Sequence, residues 1–181
     1  SALADNYPVG RFGVEGEVGV QLQYVTDLVL TQVGAWPDTL SEVGLMLAKH
    51  VGAAVAPKPC RSVTGTNGTL LRVEPLKWWI LDGDVPRLTT EQGATLDLSH
   101  SRTRVRVSGP WAAELINRHL ALDLRESSFP IGAFCSPAFH YVGVTLWHSE
   151  QGYELFLPRG YALTFWEMLL ESAGQFGAEV C

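Results

Sequence analysis

Residues 97–116 read DLSHSRTRVRVSGPWAAELI, and how this stretch divides decides the fold. From 102 to 107 the chain alternates strictly. Arg102, Arg104 and Arg106 therefore fall on one face of an extended strand, with Thr103, Val105 and Val107 on the other. Gly109-Pro110 then ends the strand, with proline where the first turn of a helix tolerates a missing N–H. The run AAELINRHL (112–120) continues as that helix. The unit is strand, turn, helix. The same geometry bears on chemistry, because Asp97, Ser99 and His100 look at first like a hydrolytic relay. On an extended backbone Asp97 and Ser99 point one way and His100 the other. A relay needs the imidazole within hydrogen-bond reach of both partners, and no glycine between Asp97 and Ser108 supplies a sharp elbow. The polar residues read as local hydrogen-bonding groups, and the arginine row as a face turned to solvent or to a partner.

Upstream, VGVQLQYVTDLVLTQVGAW (18–36) is β-branched and alternating, and predicts one or two strands. PDTLSEVGLMLAKHVG (37–52) predicts a helix. Thr39 and Glu42 are spaced as a capping box, Leu40, Val43, Leu47 and Val51 recur on one face, and Gly52 stops it. After a proline-rich link, Asn67-Gly68 marks a hairpin turn and WWIL (78–81) a buried strand. Downstream of the opening unit lie apolar strand candidates at 133–149 and 152–158, parted by Gln151-Gly152. A last helix over 161–174 carries Leu163, Trp166 and Leu170 on one stripe. The order, strand-helix-strands and then strand-helix-strands-helix, predicts an α+β fold with the look of a degenerate duplication. Glycines at 10, 13, 16 and 19 predict a flexible N-terminal arm over 1–19. A single domain over 20–181 follows, with sub-units at about 20–90 and 95–177.

The chain has 181 residues, 46% hydrophobic and 18% charged, enough for one good core or two small ones. A net charge of -6 argues against a nucleic-acid partner, which calls for a cationic face. No apolar run approaches a membrane span, so no membrane partner is expected either. Three cysteines, Cys60, Cys135 and Cys181, are odd in number and widely spaced, which points to a reducing, cytoplasmic setting. His50, His100, His119, His140 and His148 show no metal-ligand spacing. Neither GRFGVEG (10–16) nor GTNG (65–68) fits a dinucleotide or phosphate loop. No catalytic, metal or cofactor residue is assigned to the chain. The remaining functional surface is aromatic and cationic: Trp36, Trp78, Trp79 and Trp147 with Arg102, Arg104 and Arg106, as a candidate partner interface.

Several separated motifs carry a resemblance. LDLSHSRTRVRVSGPWAAELINRHLALDL (96–124), FPIGAF (129–134) and GYELFLPRGYALTFWEMLLESAGQFG (152–177) resemble, in that order, the gamma subunit of heterotetrameric sarcosine oxidase. More loosely, EPLKWWILDGD (74–84) is similar to a strand of the same family. A more distant resemblance is to the folate-binding aminomethyltransferases, which share a D-x-S-H … v-x-G-p-x-A element, here Asp97, Ser99 and His100 with Gly109, Pro110 and Ala112. The resemblance implies the aminomethyltransferase-like α+β fold with ferredoxin-like sub-domains. It also implies a non-catalytic, assembly-supporting chain of a cytoplasmic complex that oxidises sarcosine to glycine. FAD, FMN, NAD, tetrahydrofolate and zinc would then belong to partner subunits. The alpha subunit would be the main partner, with beta and delta in the same heterotetramer. Two departures stand out. FHYVGVTLWH (139–148) has no acid where the folate enzymes place a functional aspartate, and Cys135 lacks the K-G-C-Y-x-G-Q setting of another branch, so it reads as a buried apolar residue. The alternative expectation is a stand-alone folate-binding one-carbon transfer protein using Asp97, His100 and Arg104 around a pterin pocket.

Overall fold

A computed structural model describes residues 9–139 and 141–181. Along the chain run β1 (Gly10–Phe12), β2 (Val20–Val25), β3 (Leu30–Ala35), α1 (Leu40–His50), β4 (Ser62–Gly65), β5 (Gly68–Glu74), β6 (Lys77–Leu81) and β7 (Gly93–Asp97). They are followed by β8 (Arg102–Ser108), α2 (Ala112–Asn117), β9 (Phe134–Cys135), β10 (Ala138–Phe139), β11 (Val142–Gly143), β12 (Thr145–Ser149), β13 (Gly152–Pro158), α3 (Ala162–Ala173) and β14 (Ala178–Val180). The α+β class expected from the motif order is the observed one. The chain forms two compact units, and they are not consecutive halves. Of the described residues, one comprises 9–26, 101–131, 136–139 and 141–181; the other comprises 27–100 and 132–135.

In the first unit the strands run β1-β14-β2-β8-β13-β12. β14 lies parallel to β2, and the other neighbours are antiparallel. The alternation read in the opening stretch holds. Val105 and Val107 are fully buried, and the register sets them beside Leu22, Tyr24, Tyr153 and Leu155 on one face. That face carries the helices: Leu157 of β13 and Phe165 of α3 line the same pocket. Gly109 (φ +105) makes the turn from strand to helix, where a side chain would run into the Gly19 carbonyl. α2 is shorter than the expected 112–120 and begins two residues after Pro110. The buried stripe of α3 is Ala162, Phe165, Trp166, Leu169 and Ala173, whereas Leu163 of the expected stripe is exposed. The helix is rotated so that its aromatic residues meet the sheet, and Phe165 packs edge-on against Phe139 at 4.6 Å. Residues 1–8 of the expected arm lie outside the described residues. Gly10–Phe12, expected in that arm, form β1 along β14, and the Val14 N–H donates to the Gly174 carbonyl at 2.9 Å. Gly13 (φ +86) serves close approach here, since a Cβ on it would collide with the Gly174 backbone.

The second unit is an antiparallel sheet, β4-β5-β6-β3-β7, with α1 on one face. Val43, Leu47, Ala48 and Val51 meet Val33, Leu70, Trp78 and Ile80 in one cluster, as the helical periodicity required. The capping box does not form. The Thr39 hydroxyl accepts from the Trp36 N–H (3.1 Å) and donates to the Gln92 carbonyl (2.7 Å), and Glu42 accepts from the Gln92 amide (2.7 Å). Both side chains are drawn to the loop before β7, a competition invisible in local spacing. The β4–β5 hairpin closes Gly65 on Gly68, so Thr66-Asn67 form its tip and Gly68 begins the next strand. No helix among the described residues is long and apolar enough to cross a membrane.

Candidate functional site

The most concentrated chemistry in the chain is a buried ion cluster on the arginine face of β8. Arg104 and Arg106 each place Nε 2.8 Å from the Glu154 carboxylate, on Oε2 and Oε1 respectively. Glu154 is fully buried, and the side chains of Arg104 and Arg106 are 7% and 18% exposed. The β8–β13 register puts Glu154 directly across from Arg106, with Phe156 across from Arg104. Ser149 Oγ lies 3.1 Å from Glu154 Oε1, and Arg106 also donates to Gln23 on β2 at 3.0 Å. The Arg104 guanidinium stands 5.9 Å from the Phe156 ring centroid. With both guanidiniums bonded to one carboxylate, the cluster is charge-assisted and directional.

This takes Arg104, and most of Arg106, out of the candidate partner surface. Arg104 is buried and bound to Glu154, Arg106 is mostly buried and shares that carboxylate, and Arg102 is half-buried at the strand's start. Strand alternation placed the three correctly on one face, but it could not say that the face was covered. The missed residue is Glu154. Its signal was a single acid in the middle of the apolar strand GYELFLP, where an unpaired carboxylate would be costly and a cationic partner is required. The tryptophans divide similarly. Trp78 and Trp79 are core residues at 1% and 5% exposure, Trp147 is buried, and Trp36 is half exposed with its Nε1 donating to the Thr90 carbonyl at 2.8 Å. Trp79 donates to Gln32 within the sheet at 3.3 Å. Trp78, Trp79 and Trp147 therefore leave no face for a partner, and only Trp36 of the four does.

Of the residues of the folate alternative, Arg104 is bonded to Glu154 and Asp97 is committed locally. The Asp97 carboxylate accepts from the Ser99 N–H at 2.8 Å, and the Ser99 hydroxyl and N–H together hold its carboxyl below the usual range. Ser99 Oγ in turn accepts from the Leu30 N–H at 3.0 Å. These are strand-ending bonds of the kind the sequence suggested. Asp97 and His100 belong to the second unit and Arg104 to the first. Cys135 is half-buried, and burial pushes its thiol up to about 11, so it is protonated at neutral pH. Cys60 and Cys181 are exposed. Among the described residues no three His, Cys, Asp or Glu stand together as metal ligands, and His140 lies outside that set. An apolar pocket of about 170 Å³ in the first unit, lined by Phe139, Val144, Leu157, Phe165 and Met168, offers Tyr161 as its one titratable group.

The sequence matches no protein-family model and no curated protein. Among solved structures, a chain of the heterotetrameric sarcosine oxidase from Corynebacterium sp. U-96, in complex with pyrrole 2-carboxylate, superposes with a TM-score of 0.71 at 22% identity. The match covers 91% of this chain and 88% of that one. Both share the fold. The glycine cleavage system aminomethyltransferase T from Bartonella henselae superposes at a TM-score of 0.62 and 17% identity, covering 91% of this chain but 48% of its own. The fold suspected from the ordered motifs is therefore the observed one, and this chain spans about half the length of the aminomethyltransferase.

Proposed function

We propose that the chain is a non-catalytic, assembly-supporting subunit of a sarcosine-oxidase-type flavoenzyme complex, corresponding to the gamma subunit. The observation that carries this reading is the extent of the structural match, which spans 91% of this chain and 88% of a chain of a heterotetrameric sarcosine oxidase. In this reading FAD, FMN, NAD, tetrahydrofolate and zinc are held by the partner subunits. The alpha chain is the main contact, with beta and delta completing a cytoplasmic heterotetramer that oxidises sarcosine to glycine.

The test is co-expression of the tagged chain with the alpha, beta and delta chains of a heterotetrameric sarcosine oxidase, followed by purification and assay of sarcosine oxidation. A stoichiometric complex is expected. A fully assembled, fully active complex formed without this chain would sink the reading. The alternative, a stand-alone folate-binding one-carbon transfer protein, predicts stoichiometric binding of tetrahydrofolate to the isolated chain, which calorimetric titration measures directly.

A further inference from the structure

β7 is an edge strand, since it pairs with β3 and has no neighbour on its other side among the described residues. Which of its backbone groups face outward follows from the register. On the β6 side, the Asp82 N–H donates to Val29 O (2.9 Å), so the odd-numbered residues of β3 bond to β6. On the β7 side, the Leu98 N–H donates to Leu30 O (2.8 Å), so the even-numbered residues of β3 bond to Ala94, Leu96 and Leu98. The N–H and C=O groups of Thr95 and Asp97 therefore point away from the sheet. Gly93 uses its N–H in a turn to Thr89 O at 3.2 Å. β7 lacks the stronger edge protections: GATLD has no proline or lysine, its pairing with β3 has no bulge, and Ala94 through Asp97 are exposed, with Asp97 the one charge on the strand.

A groove of about 460 Å³ runs beside this edge. One wall is Gly93 to Thr95; the other is the loop residues Val85, Pro86, Arg87 and Leu88. Val85 and Leu88 are anchored in the α1 core, which fixes that wall in place. Arg87 is exposed and takes part in none of the ion pairs among the described residues. No carboxylate lines the groove itself, and the Asp97 carboxylate, beyond its end on β7, accepts from the Ser99 N–H at 2.8 Å.

We propose that this groove is a strand-addition site that takes an extended, acid-bearing segment of a partner protein, pairing its backbone with Thr95 and Asp97 and setting a carboxylate against Arg87. Outward backbone groups supply the main-chain bonds of such a site, and a fixed wall with a single cation supplies its selectivity. The inference deepens the assembly reading, on which the identity of the partner rests.

Two measurements test the site and its occupant separately. The first titrates the full chain with the acetylated, amidated peptide Thr-Val-Glu-Val-Thr-Val and follows amide exchange by NMR. Exchange at Thr95 and Asp97 is expected to slow at least tenfold on saturation, with Arg87→Glu weakening the peptide at least fivefold. Thr95→Pro removes an outward N–H without touching the bonds to β3, so it is expected to abolish binding while leaving the thermal midpoint near that of the unmodified chain. No localised change at millimolar peptide overturns the inference. The second uses the co-expressed complex, in which both variants are expected to assemble at least tenfold more weakly. A complex that forms equally well with Arg87→Glu and Thr95→Pro overturns the inference and leaves the assembly reading standing. Failure of the unmodified chain to form any complex sinks the assembly reading, and the peptide titration alone then decides the groove.

Discussion

Replacing Glu154 with glutamine tests whether the buried cluster holds the first unit together through charge. The carboxylate now takes one Nε at 2.8 Å on each oxygen. In the variant, one amide oxygen remains to accept, while the amide nitrogen meets a guanidinium donor and repels it. Two cations would be left in a site where the arginine side chains are 7% and 18% exposed. Arg106 keeps Gln23 at 3.0 Å and some solvent, which softens its share of the penalty. Removing one partner of a buried ion pair costs about 3–5 kcal/mol. For a chain of this size that corresponds to a fall of about 6–20 °C in the thermal midpoint, taking about 2–4 °C per kcal/mol. Urea unfolding followed by tryptophan fluorescence measures it, since Trp147 pairs with Glu154 across β12 and β13. The midpoint should fall at unchanged slope, which separates lost stability from a change in the unfolded ensemble. A companion triple variant, Glu154→Leu with Arg104→Met and Arg106→Leu, removes all three charges and should recover most of the loss. A loss below about 1 kcal/mol for the single variant would refute the reasoning, because exposed pairs are worth that little. A triple variant as unstable as the single one would assign the effect to packing.

The divided tryptophans predict a contrast. Trp78→Ala should cost about 3–5 kcal/mol by emptying the α1 core, while Trp36→Ala should cost about 1 kcal/mol, the worth of its bond to Thr90; denaturant melts compare them. Cysteine labelling with iodoacetamide at pH 7.5 should mark Cys60 and Cys181 well before Cys135, whose burial keeps it a thiol, and peptide mass spectrometry reads the order. The Arg125 side chain first, then Ser128 and the Arg125 N–H, hold the Asp123 carboxyl well below the usual range. A depressed folded-state value means the stabilisation is present above the ordinary carboxyl range and is lost as pH falls through the folded value. Carbon-13 NMR should show Asp123 titrating below free aspartate, and Arg125→Ala should move it back up.

What could be read locally was set by short-range geometry, and what could not was set by partners distant along the chain. Alternation over 102–107 put three arginines on one side of a strand, and the spacing of Val43, Leu47 and Val51 put α1 on its core, because both depend only on backbone period. The environment of the arginines depended on Glu154, 48 and 50 residues away from Arg106 and Arg104. In α3 it is Phe165, in edge-on contact with Phe139, that is buried, while Leu163 is exposed. Glycines 10 to 19 looked like slack, yet Gly13 is where two backbones must touch so that β1 can join β14. The same division holds for the surface. Tryptophan and arginine are the residue types that interfaces favour, but in this chain the core took Trp78, Trp79 and Trp147 and Glu154 took Arg104. The proposed strand-addition site at the edge of β7 beside Arg87 is built mainly from backbone, where amino-acid type alone carries almost no signal.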